Sequence, residues 1–294
     1  MKFVASAKYI LAGEHAVLRG SGALVFPLPH YQVKLYYKET GFKFVSAICQ
    51  DKSLPVIFHG ALAKALNFVG KSQDFLSGSI ELENNIPMGV GLGFSAALSS
   101  VIAKLLVGLD VLDTRDFFAC TKYIEGYFHG VSSGIDIAGS NSSVGVYFSP
   151  NGRCEELCLA WEPKLFLQLS GRIGLTADGV SLVQKMHQEN PNLALKIDRD
   201  MSESVMLARR ALLDSAQGFG LLKEAINMAS GCFEKWGLMP ESLIVTAASM
   251  QENGAVATKC TGSGGGGAVL GLWEADPSNK TVLIESFVIS FQSL

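Results

Sequence analysis

Chemistry in this sequence concentrates where side chains are missing and where carboxylates recur at helical spacing. In Pro87–Ser99, PMGVGLGFSAALS, the residues Gly89, Gly91 and Gly93 alternate. Alternate glycines clear one side of the chain and let backbone N–H groups turn toward an anion. The apolar run Ser95–Leu109 that follows reads as a helix. Its N-terminus would bring unpaired N–H groups and partial positive charge to the same place. Phosphate binding suits this arrangement, through Pro87, Gly89, Val90, Gly91, Leu92, Gly93, Phe94 and Ser95. A tight strand-to-helix turn needing positive φ is the plainer alternative.

The run GLGFSA also fits a G-x-G-x-x-A dinucleotide fingerprint, with Asp110 near the spacing of a ribose-binding acid. That fingerprint needs a buried parallel strand before it, and ELENNIP is polar and broken by Pro87. No Gly-Lys-Ser/Thr follows the glycines, so a Walker A loop is absent as well.

A second glycine run, Thr261–Gly267, lies between the core-like segments VATKC and AVLGLW, which argues against a flexible linker. Gly264 and Gly265 are its candidate ligand contacts. The acidic stretch EGYFHGVSSGID places Glu125 and His129 four apart on one helical face. A turn at Ser132–Gly134 would then present Asp136. Phosphoryl transfer asks for positioning, charge neutralisation and a group that orients or deprotonates the attacking hydroxyl. A carboxylate for a metal and a carboxylate for a hydroxyl fit those needs. Lys8 sits in an apolar strand, where an ammonium needs an anionic partner. Asp136 or a phosphate would serve; an outward-facing lysine is the equal alternative. The charged turn Glu14–His15 follows Gly13 and could meet a polar substrate.

The elements that must position these groups alternate between strands and helices. Strands are expected at Phe3–Ala12, Leu24–Tyr37, Ser79–Glu83, Val144–Phe148, Leu165–Leu169 and Val282–Phe291. The first two imply a hairpin-rich antiparallel sheet. Helices are expected at Phe58–Phe68, Ser95–Leu109, Thr114–Phe128 (capped by Asp113 or Thr114) and Leu243–Met250. Residues 181–235 read as largely helical, with breaks at Pro191 and near Gly218–Gly220. The segment after the second glycine run is open between strand and helix. The class is α+β, in two halves divided near Trp161–Pro163, giving domains 1–160 and 161–294.

With 294 residues, 48% apolar and a net charge of −3, the chain can bury a large core and lacks the basic field of a nucleic-acid binder. No run reaches the length of a membrane span, and Lys8 interrupts the N-terminal apolar run before it reaches signal-peptide length. Six scattered cysteines without a C-x-x-C pair read as reduced thiols in a cytoplasmic protein.

Taken in order, SAKYILAGEHAVL, IPMGVGLGFSAALS and KCTGSGGGGA resemble the three signatures of the superfamily named for galactokinase, homoserine kinase, mevalonate kinase and phosphomevalonate kinase, the GHMP kinases. GEHAVL and the pattern Glu125, His129, Gly130, Ser133, Gly134, Asp136 are most similar to its mevalonate-kinase branch. The resemblance implies an N-terminal α+β domain, a ferredoxin-like C-terminal domain and an active site in the cleft between them. It implies ATP and Mg2+ as cofactors and the 5-hydroxyl of mevalonate, a small hydroxy acid, as acceptor. By the same resemblance Asp136 and Lys8 are catalytic, Ser95 and Glu125 hold the metal, and Glu14, His15 and, on a looser local match, Thr176 lie on the substrate side. Four residues depart from the pattern. Phe94 stands for a serine, Val131–Ser132 for Asn-Pro, and Ala268 for a cysteine.

Phosphomevalonate kinase or another member of the superfamily is the nearest alternative. The acceptor turn supplies only Arg19, which favours an unphosphorylated acid. A nucleotide-binding homologue that has lost its chemistry and a dinucleotide oxidoreductase are further alternatives. No nucleic acid or membrane partner is expected, and a homodimer is left open.

Overall fold

The computed structural model describes residues 1–39, 45–49, 54–130, 132–174 and 176–285. They form two compact units that interleave in sequence. Unit 1 holds Met1–Lys8, Pro27–Pro87 and Gly93–Ser143, and unit 2 holds Tyr9–Phe26, Met88–Leu92 and Val144–Leu294. Strands β1 (Lys2–Ala12) and β2 (Ala23–Lys38) each contribute to both units.

In unit 1, the later half of β2 pairs antiparallel with a strand at Gly78–Asn84, placing Leu35 opposite Leu82. The strand β3 (Val45–Cys49) pairs with it in parallel, and helix α1 (Leu54–Phe68) connects the two; Gly78–Asn84 is therefore β4. β1 pairs with β2, and β2 runs antiparallel to β4, in keeping with the expected antiparallel sheet, while β3 and β4 are joined by the helical crossover that parallel neighbours require. Along β4 the alternation of SIELE holds: Ile80 and Leu82 are buried and Glu81 is exposed. Helix α2 (Phe94–Gly108) buries Ala96–Ala103 along its whole circumference, as a central helix must. The expected helix at Thr114 begins instead as a 3-10 turn, Thr114–Asp116, where the Asp113 carboxylate accepts from the Arg115 N–H. Helix α3 (Phe117–His129) follows. After the Ser132–Gly134 turn comes α4 (Ile135–Asn141), a short helix not expected from the sequence. Val131 lies outside the described residues.

In unit 2, β5 (Val146–Phe148) pairs with the start of β2 and with β6 (Cys154–Glu156). A strand follows at Lys164–Leu169 (β7), then helices α5 (Thr176–Glu189), α6 (Pro191–Leu212), α7 (Gly218–Lys235) and α8 (Glu241–Glu252). Pro191 opens α6 at a position where its missing N–H costs nothing, and Gly218 opens α7, so both expected breaks are real. The strands β8 (Ala257–Thr261), β9 (Ala268–Trp273) and β10 (Leu283–Glu285) complete an antiparallel sheet in the order β10-β7-β9-β8. The segment after the second glycine run is thus a strand. Residues 286–291 of the expected terminal strand lie outside the described residues. Phe166, Phe233, Trp236 and Trp273 anchor the core of this unit.

Among the described residues no helix is long and apolar enough to cross a membrane. Cys120, Cys154, Cys158, Cys232 and Cys260 are unpaired thiols, and burial pushes Cys120 and Cys232 up to about 12.

Candidate active site

Within unit 1, the catalytic candidates meet at the N-terminus of α2. Lys8 is 1% exposed, and its Nζ lies 3.0 Å from Oδ1 of Asp136. A buried ammonium held this way is paired, while the Asp136 side chain keeps 30% of its surface open. Asp136 sits in the first turn of α4, entered through Gly134 at φ 93°. The Lys8 stem runs against Gly93, where a Cβ would stand 2.8 Å from Cγ and Cε. Gly93 is left-handed (φ 81°) and caps α2, so the same glycine serves the turn and the lysine. Ser95 lies in the first turn of that helix. Phe94, the departure from the family pattern, is turned inward and 9% exposed, so its bulk is absorbed by the core.

Glu125, on α3, is 1% exposed. Its Oε2 accepts a very short hydrogen bond from Ser132. Ser132 in turn accepts from the Gly134 N–H at 3.2 Å, and Ser133 from the Ile135 N–H at 3.3 Å, fixing the turn into α4. Burial first, and the Asp136 charge second, push the Glu125 carboxyl up to about 7, against Ser132, Lys8 and Lys122. The link between Glu125 and Ser132 was not anticipated. Both residues were visible in the sequence, but their pairing depends on how the chain reverses between α3 and α4.

Within unit 2 the two glycine runs lie against each other, backbone to backbone. A Cβ on Gly91 would stand 2.9 Å from the Thr261 carbonyl, and one on Gly267 would stand 2.7 Å from that of Val90. The φ of Gly91 is +77°, a second demand for glycine. The Gly174 N–H donates to the Gly89 carbonyl at 3.1 Å, and the Gly265 N–H to that of Leu238 at 3.0 Å. Gly264 is packed against Leu238 and Phe233, whereas a Cβ on Gly265 would meet nothing within 4 Å. Leu92 is buried, and Gly89 is exposed. Pro87 closes the last segment of unit 1 before the loop.

The charged turn in unit 2 points inward. Glu14 is 2% exposed and its Oε1 lies 2.5 Å from Nζ of Lys259, itself fully buried. His15, at φ 59°, packs its ring against Phe233 and Trp236 and is bonded through Nε2 to the Ser263 carbonyl at 2.9 Å. A carbonyl only accepts, so Nε2 carries the proton. Burial lowers the imidazole to about 4, which keeps His15 neutral at physiological pH. Lys259 was missed by the sequence reading, although the argument applied to Lys8, a lysine inside an apolar strand, applies equally to VATKC. Thr176 opens α5, and His129 ends α3.

The family model described as GHMP kinases N terminal domain matches residues 58–143, which carry the α2 N-terminus, Glu125 and Asp136. The mevalonate kinase of Pyrococcus abyssi is 27% identical over 293 residues, covering 91% of this chain and 87% of that protein. The family match places a GHMP kinase N-terminal domain within this chain. The fold agrees. The crystal structure of L. major mevalonate kinase in complex with R-mevalonate matches this kinase at a TM-score of 0.77 and 20% identity, over 94% of this chain and 88% of that one. A Streptococcus pneumoniae phosphomevalonate kinase in complex with phosphomevalonate and AMPPNP matches at 0.72 and 17%, over 94% and 93%. At these identities the fold is shared by kinases with different acceptors, and residues must separate them.

The donor set around α2 fits a magnesium ion that arrives with a nucleotide. Among the described residues, no group of three or more His, Cys, Asp or Glu could hold a metal unaided. Magnesium typically takes one or two carboxylates and completes its shell with phosphates and water. A carboxyl raised first by burial and then by a neighbouring carboxylate is a place where added positive charge is favourable.

Proposed function

We propose that this kinase transfers the γ-phosphoryl group of ATP to the 5-hydroxyl of mevalonate. The observation that carries the reading is the Lys8–Asp136 pair set against the capped N-terminus of α2. Asp136 has an open carboxylate that can align the acceptor hydroxyl and take its proton. Lys8, buried and fixed by Gly93, orients that carboxylate and offsets charge on the acceptor oxygen. The backbone from Gly89 to Ser95, with the second glycine run at Gly264–Gly265, supplies N–H groups and space for the triphosphate. Ser95 and Glu125 would hold magnesium, which neutralises charge on the phosphates. Glu14, His15 and Thr176 belong to the acceptor side in this reading. Reduced thiols and ATP dependence suit the cytoplasm.

Phosphomevalonate is the rival acceptor, and one observation speaks against it. The Arg19 guanidinium is gripped in two-point fashion by Asp198, Nε–Oδ2 at 2.5 Å and Nη2–Oδ1 at 2.6 Å. That pairing already neutralises the single cation of the turn GEHAVLRG. A coupled ADP-release assay over mevalonate, phosphomevalonate, homoserine and galactose tests the assignment. Mevalonate is expected to exceed every other acceptor in kcat/KM by about 10²-fold or more, the scale of discrimination that unpaired polar groups impose. Preference for phosphomevalonate, or ATP binding without turnover on any acceptor, would overturn it.

A further inference from the structure

Strand β8 leads directly into the second glycine run, and its inward-facing side chains hold the acceptor-side turn. Residues two apart on a strand share a face. Lys259 Nζ reaches Glu14 Oε1 at 2.5 Å and the Ile10 carbonyl at 3.2 Å. Thr261 Oγ1 donates to that same carbonyl at 3.0 Å and accepts from the Ile10 N–H at 2.9 Å. Just past the strand, the Ser263 carbonyl accepts from His15. Phe233 supports both ends, its ring lying 5.3 Å from Lys259 Nζ and 5.9 Å from the His15 ring. Three successive attachments therefore register Ile10, Glu14 and His15 against one strand of the loop. All of them lie in unit 2.

We propose that Lys259 is a positioning residue for phosphoryl transfer, acting through Glu14 to set the acceptor-side turn relative to the second glycine loop. The inference rests on reading Glu14–His15 as the acceptor side. A fully buried ion pair is a weak source of stability, because the cost of removing both charges from water offsets most of the attraction. Its value lies in geometry: the ammonium fixes one carboxylate oxygen, and with it the backbone between Gly13 and Ala16. Lys259 itself touches neither nucleotide nor acceptor in this account.

The test is steady-state kinetics on the full chain with mevalonate and ATP varied separately, for Lys259→Met, Glu14→Gln and the double variant. Thermal unfolding of each is measured in parallel. A residue acting through another is non-additive with it. Each single variant and the double variant should raise the mevalonate KM by about tenfold or more, all within about threefold of one another, with the ATP KM changed less than about twofold. Lys259→Met takes the ammonium away from a buried carboxylate and will be the least stable of the three. If it does not fold, the double variant against Glu14→Gln decides, and equal KM values are expected. A multiplicative loss in the double variant overturns the proposal. So does a Lys259→Met enzyme with lowered melting temperature and unchanged mevalonate KM beside an impaired Glu14→Gln. An unchanged KM in Glu14→Gln overturns the acceptor-side reading and this inference together. Failure of the mevalonate assignment itself would appear first in the wild-type protein.

Discussion

Asp136→Ala is expected to lower kcat by about 10²–10⁴-fold, the range that general-base groups contribute, while ATP affinity changes less than about threefold. Asp136 combines a buried cation, Lys8 at 3.0 Å and 1% exposed, with a partly open face. Its partner cannot substitute, because Lys8 is 1% exposed and an ammonium has no lone pair to accept a hydroxyl proton. Asp136→Asn keeps the shape and the start of α4, and should be equally inactive. Measuring kcat together with nucleotide affinity by calorimetry separates this from unfolding. Turnover within about threefold of wild type in either variant would remove Asp136 from the chemistry.

Glu125→Gln should abolish most activity and yet stabilise the nucleotide-free protein at pH 8. The carboxyl is raised from 4.5 to about 7, chiefly by burial. Between those values the folded state holds more protons than the unfolded chain, so Glu125 makes stability fall as pH rises from 4.5 to about 7. Above that the cost is constant, on the order of 3 kcal/mol. A neutral amide carries no such cost and keeps an oxygen for Ser132 to donate to. The difference in stability between variant and wild type should therefore be near zero at pH 4.5 and reach a positive plateau above pH 7. Activity should fall about 10²-fold or more, since in the proposed reading this carboxylate would hold the magnesium. A variant less stable than wild type at pH 8 would show that the Glu125 charge is satisfied within the protein, and would contradict its assignment to a metal. Gaining stability by giving up a strained charge is the usual mark of a residue kept for function.

These groups differ in how visible they were before the fold was known. The glycine alternation and the α2 N-terminus are local in sequence, so Gly93 and Ser95 fell where expected. Lys8 carried its own signal, a charge inside an apolar strand, and of the alternatives it allowed, Asp136, a phosphate or solvent, the structure pairs it with Asp136. Contacts across long chain separations were not visible. Glu14 and Lys259 are 245 residues apart, and nothing near Glu14 shows that a lysine will meet it. The turn GEH therefore read as a charged turn that could meet a polar substrate, with no sign that the structure buries both side chains against strand β8 and Phe233. Helix α4 was hidden because IDIAGSN is short and contains a glycine, so propensity gives it little support. The parallel pairing of β3 with β4 is set by the intervening helix, which local alternation does not report. The second glycine run has a further explanation that the sequence could not supply. Gly267 is required by the Val90 carbonyl, and Gly91 by that of Thr261, before any ligand is considered.

The central claim is the transfer of phosphorus from ATP to one particular oxygen, and phosphorus NMR of the reaction observes it directly. With ATP, magnesium and mevalonate, the spectrum should gain a phosphomonoester resonance split by the two protons of the C5 methylene, growing in step with ADP. Inorganic phosphate appearing with ADP and no ester, or an ester on a different oxygen, would contradict the account.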